Sequence, residues 1–174
     1  VITLDKFAPA QPVDADDIIV TARVRPSFSP LTGVNLNYLV MYGTVIQIPM
    51  FDDGAHGDGA AGDSIYGATI PATASTAGDL VRWYITASDT TSPGSRWPLF
   101  TDPLNSAEYL GTMVQSTATA TIPLWEWFTQ NTTNARNATG TRCAVFFNGQ
   151  LYDNVFVRVR GAATSAGSQK FDFN

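Results

Sequence analysis

Charge is scarce in this chain. Asp, Glu, Lys and Arg make up 14% of its 174 residues, against about 25% in an average globular domain. The ten basic residues form no block and the net charge is −5, so nucleic acid is not an expected partner, because phosphate binding needs clustered Lys and Arg. Cysteine occurs once, at Cys143, which excludes any disulfide within the chain. In Arg142-Cys-Ala-Val-Phe-Phe147 it reads as a buried, inert thiol on an apolar strand, since no histidine or basic cluster lies nearby to lower its pKa. Histidine also occurs once, at His56, so no imidazole pair can form; it reads as a solvated loop residue. No apolar run approaches the ~20 residues that span a bilayer. The first residues also lack the basic-then-apolar form of a signal peptide. A chain opening Val-Ile-Thr-Leu-Asp, without an initiator Met, reads as a processed or excised piece.

What remains is a β-protein. Hydrophobic residues are 44% of the chain, ample for a core, and Thr, Ser, Asn, Ala and Gly supply the polar surface, as in secreted β-proteins. Ile18–Arg25 alternates, placing Ile18, Val20, Ala22 and Val24 on one face and Thr21, Arg23 and Arg25 on the other. Val34–Val40 continues with Leu36, Tyr38 and Val40 inward, and Tyr42-Gly43 turns the chain into Thr44–Met50. Ile65–Ile70 and Leu80–Asp89 follow, the latter with Val81, Trp83, Ile85 and Ala87 on one face. Short strands at regular spacing, with turn signals and no helical period, argue for an Ig-like or fibronectin-III-like sandwich. Ile18, Val20, Val24, Tyr38, Trp83 and Ile85 are its expected core.

Five glycines and four aspartates crowd into residues 52–67, between two of these strands. Glycine reaches φ > 0 without steric cost, and aspartate hydrogen-bonds its own backbone in tight turns. The segment therefore reads as a wound loop. The same residue types could instead place Asp52, Asp53, Asp58 and Asp63 around one Ca²⁺, with carbonyls and water completing the shell. The spacing is not that of an EF-hand.

The pattern changes after Asp89. Residues 93–120 read as a linker whose Leu104–Val114 stretch is a short helix or extended chain. Pro123–Gln130 reads as a helix, capped by Thr121, with Leu124, Trp127 and Phe128 on one face. Asn131–Gly140 reads as a polar loop carrying two Asn-x-Thr sequons, at Asn131 and Asn137. Thr141–Phe147 and Leu151–Arg160 flank Asn148-Gly149, a strong hairpin signal, and Lys170–Asn174 reads as a final strand. Trp97, Trp125 and Trp127 pack against the sandwich edge or form a glycan platform.

The run from Asn148-Gly-Gln-Leu-Tyr-Asp-Asn-Val to Arg158-Val-Arg-Gly161, with Gln169-Lys-Phe-Asp-Phe-Asn174, resembles the opening of a spore-coat-type CotH kinase domain. The upstream part, with Asp-Asp-Gly-x-x-Gly-Asp and Tyr84 to Asp89, is similar to the fibronectin-III-like module that precedes such domains in bacterial surface proteins. The resemblance implies residues 1–92 as the sandwich, 93–120 as a linker and 121–174 as a truncated CotH-like start. It also implies Arg160, Gly161 and Lys170 facing nucleotide phosphates; otherwise they are two ordinary surface cations and a turn glycine. Phosphoryl transfer needs carboxylates that hold Mg²⁺, and in the family these lie beyond the lysine strand, whereas this chain stops four residues after Lys170.

Three functions are therefore expected to compete. One is a non-catalytic structural or interaction module of a secreted or cell-surface bacterial protein, with other domains of its parent chain or neighbouring surface proteins as partners. The others are part of an atypical kinase completed elsewhere, and a glycan-binding sandwich or fibre subunit. Co-facing exposed aromatic residues would favour glycan binding.

Overall fold

A computed structural model describes residues 1–91, 94–99, 108–116, 123–160 and 171–173. The chain divides into two compact units, Val1–Ala118 and Thr119–Asn174.

The first unit is a two-sheet antiparallel sandwich. One sheet has the order β1-β2-β5, from Ile2–Ala8, Ile18–Val24 and Ile65–Ile70. The other runs β4-β3-β6, from Ile46–Pro49, Leu31–Val40 and Leu80–Asp89. The far edge of β6 carries two short strands in succession: β8 (Leu110–Met113) along Leu80–Trp83, and β7 (Ser95–Trp97) along Ile85–Ala87. Both lie in the span expected as a linker, so those residues belong to the sheet.

Alternation builds the core. Ile18, Val20, Ala22 and Val24 of β2 meet Val34, Leu36 and Tyr38 of β3 and Val81, Trp83, Ile85 and Ala87 of β6. All six residues expected in the core are buried. Each fully buried Val, Leu or Ile contributes about 1.5–3 kcal/mol relative to exposure. Trp83 lies at the centre, with no exposed surface and its ring edge-on to Phe7 at 5.1 Å.

The outward faces are less simple than alternation predicts. Thr21 is buried, not exposed, because β2 is the central strand of its sheet; its hydroxyl donates to the Lys6 carbonyl. Arg82 is buried too. Its guanidinium donates to the Met41 carbonyl at 2.7 Å and lies between the rings of Tyr42 and Tyr109, 4.2 and 4.8 Å from their centroids. Arg96 stacks in turn on Tyr84 at 4.2 Å and donates to the Glu108 carbonyl. This cation–π ladder fastens the segment before β8 across the outer face of the sheet.

The second unit is one antiparallel sheet in the order β12-β11-β10-β9, from Phe171–Phe173, Gln150–Val159, Thr141–Phe147 and Trp125–Thr129. The expected hairpin is present. Asn148 and Gly149 both take positive φ, 53° and 81°, as a two-residue type I′ turn requires. The helix expected over Pro123–Gln130 is corrected to strand β9. Trp, Phe and Thr favour a pleated surface, and pairing with the whole length of Cys143–Phe147 decides the outcome. The only α-helix among the described residues, α1 (Thr132–Ala135), falls instead in the expected polar loop, where Asn131 caps it by accepting from the Asn134 N–H at 2.9 Å.

Candidate functional site

Three surfaces carried functional expectations: the aspartate loop, the C-terminal cations and the tryptophans.

The loop between β4 and β5 is wound around its own carboxylates. Asp58 is buried. Its Oδ2 accepts the N–H groups of Asp53 and Gly54, both at 2.8 Å, and its Oδ1 accepts that of His56 at 2.9 Å. Asp52 does the same across the loop, accepting from Gly62, Asp63 and Ser64. Asp53 accepts from Ala55 and meets His56 Nδ1 at 2.9 Å, and Asp63 accepts from Ile65. The His56 ring in turn lies 4.7 Å from that of Phe51. Each expected ligand is thus turned toward backbone N–H groups. Among the described residues no set of three or more His, Cys, Asp or Glu is placed to hold a metal ion. All four side chains accept hydrogen bonds from the backbone of their own segment, as aspartate does in tight turns.

These bonds set the protonation of the loop. Backbone N–H groups, that of Gly54 foremost, hold the Asp58 carboxyl below its ordinary value against the opposing effect of burial. The His56 contact, then the Ala55 N–H, does the same for Asp53. A depressed folded-state pKa contributes stability that is complete above the unfolded value of 3.8 and is lost as pH falls through the lower folded value. Asp58→Asn is therefore expected to lower the thermal midpoint at pH 7 and to flatten its fall in acid, read by melting across an acid pH series. An unchanged acid limb would show that another carboxylate dominates.

Of the residues implied by the kinase resemblance, Arg160 is exposed just past β11, and Gly161 and Lys170 lie outside the described residues. Cys143 is buried as expected. Burial, aided by the Asp153 carboxylate, pushes its thiol up to about 11, so it is protonated and unreactive at neutral pH.

The three tryptophans divide. Trp97 packs against the core of the first unit. Trp125 and Trp127 lie two residues apart on β9, so they share a face. Register extends that face across the sheet: Trp127 opposes Val145, which opposes Tyr152, and Trp125 opposes Phe147, which opposes Gln150. Trp125 stacks on Phe147 with centroids 4.2 Å apart. At one end of the face Ala135 of α1 covers Cys143, Val145 and Val157. In the same rows Trp125, Trp127 and Tyr152 are 58%, 36% and 45% exposed, the last two flanking the buried Val145. Both sequon asparagines are exposed, but their side chains cap local turns. The aromatic face was legible only as separate residues; the register that unites Tyr152 with β9 depends on recognising β9 as a strand.

Residues 21–84, from within β2 to within β6, match the family described as conditioned medium factor 2nd Ig-like domain. The first unit thus contains an Ig-like module. No curated protein matches the chain.

Proposed function

We propose that the chain is a non-catalytic interaction module of a secreted or cell-surface protein. The observation that supports this reading most is the aromatic face of Trp125, Trp127 and Tyr152, each of which keeps a third or more of its surface in water. Large aromatic side chains left in water favour contact with a partner, where each removes much apolar area at little entropic cost. The Ig-like match of the first unit agrees with a binding or spacing role, as does the inert thiol. The finer reading of the second unit as the start of a CotH-like domain rests on the Tyr-Asp-Asn-Val and Arg-x-Arg-Gly hairpin motif.

Glycan is the favoured partner class within this reading. The C–H face of a sugar ring packs on the negative face of an indole, and two co-facing indoles on one strand offer successive platforms. Display of the labelled chain over an array of defined glycans tests this. Selective retention on a structurally related subset is expected. Absent or uniform retention would contradict the glycan reading and direct the search to a protein partner.

A further inference from the structure

A cavity of about 350 Å³ lies on the outer face of the five-stranded sheet of the first unit. Four neighbouring strands line it: Asn35 on β3, Gln47 on β4, Thr86 and Ser88 on β6, and Ser95 and Arg96 on β7. Apart from Ser95, which pairs with the core residue Ala87 and lines the cavity with its backbone, every side chain named is an amide, a hydroxyl or a guanidinium. Among the described residues no carboxylate lines it, and Ala87 and Gly94 complete the lining.

The floor is held in place from beneath. Asn37 is buried; its amide donates to Thr86 Oγ1 at 3.0 Å and its carbonyl accepts from Gln47 Nε2 at 2.9 Å. That arrangement orients both neighbours while leaving the Gln47 carbonyl and the Thr86 hydroxyl proton without a protein partner among the described residues. The Asn35 amide likewise makes no hydrogen bond among the described residues. One wall is Arg96, fixed over the Tyr84 ring and bonded to the Pro98 and Glu108 carbonyls. Neutral donors and acceptors thus converge on a preformed concavity within the size range of small-molecule sites.

We propose that this cavity is a binding site for a single saccharide ring. Amides and hydroxyls each donate and accept, which matches ligand hydroxyl groups, themselves donors and acceptors. A cationic ligand would meet the Arg96 guanidinium. A peptide would find no apolar recess for its side chains among the described residues, and the site is on the sheet's face, whereas strand addition uses an edge. The proposal rests on the reading of the chain as a binding module, but not on the aromatic face.

The test is a nuclear magnetic resonance titration of the isotopically labelled full chain with glucose, galactose, N-acetylglucosamine and N-acetylneuraminic acid, each to high millimolar concentration. At least one sugar is expected to shift the side-chain amides of Asn35 and Gln47 in a saturable way. Asn35→Ala, and the exposed-site variant Gln47→Ala, should each weaken that sugar by about tenfold, while Trp125→Ala leaves it unchanged. Gln47 is exposed on the edge strand β4, so its variant reports binding through the Asn35 amide even where a change at Asn35 disturbs the sheet. No saturable shift with any of the four sugars would overturn the proposal. Shifts confined to the Trp125 and Trp127 indoles would overturn it as well, while sparing the aromatic-face reading.

Discussion

Replacing Trp83 by alanine is expected to cost the first unit about 3–5 kcal/mol, the range for emptying a buried aromatic site. The residue has no exposed surface and sits where β6 meets the facing sheet. Its edge contact with Phe7 crosses between the two sheets, so its loss opens a void bounded by both. A gentler variant should separate packing from polarity. Trp83 Nε1 is buried without a hydrogen-bond partner, a burden of about 1–3 kcal/mol for a polar group of this kind. Trp83→Phe removes that N–H while keeping most of the apolar ring, and is expected to cost less than half of the alanine change. Equilibrium urea unfolding measures both. An alanine cost below about 1 kcal/mol would mean that the indole is not in the core.

Gly67→Ala is the second large effect, of about 3 kcal/mol or more, because overpacking already costs about 1–3 kcal/mol where neighbours can yield. Here they cannot. A Cβ at Gly67 would come within 2.2 Å of the His56 carbonyl oxygen and 3.3 Å of the Asp58 Cβ. The obstacle is backbone, and it is pinned: Gly67 exchanges two hydrogen bonds with Phe51, at 2.9 and 2.8 Å, and Asp58 fixes the loop above it. Either the loop lifts and breaks the three bonds to Asp58, or β5 shifts against β2. Urea unfolding should show a clearly lower midpoint with a similar slope. A midpoint within error of the parent would show that the loop is not seated on β5.

The parts of the fold that were legible in the sequence are those where a local pattern and its tertiary setting agree. Ile18–Val24 and Leu80–Asp89 alternate because one face is core, and Asn148-Gly149 turns because only such residues take two positive φ values cheaply. Misreadings arose where non-local pairing decides. Trp125–Thr129 has few residues and an ambiguous apolar spacing, and its strand state follows from a partner, Cys143–Phe147, that lies a loop and a helix away. Leu110–Met113 is too short to announce itself, and is a strand because Leu80–Trp83 has an edge to offer. Thr21 and Arg82 break the inside–outside rule because neighbouring strands and tyrosine rings cover them, which no period-2 count registers. The aspartate loop showed its composition but not its bonds: which backbone N–H groups each carboxylate accepts depends on how the loop is wound, which composition does not state.

The central claim is that the partly exposed aromatic face of Trp125, Trp127 and Tyr152 binds a partner. The most direct measurement compares the parent chain with a Trp125→Ala/Trp127→Ala double variant, recording thermal midpoint and retention on the glycan array side by side. Exposed side chains contribute little to folding, about 1 kcal/mol or less each, whereas central aromatic residues dominate interfaces. The account predicts a small shift in midpoint and loss of the selective retention. Retention undiminished in the double variant, or a collapse of the midpoint comparable to that of Trp83→Ala, would contradict it.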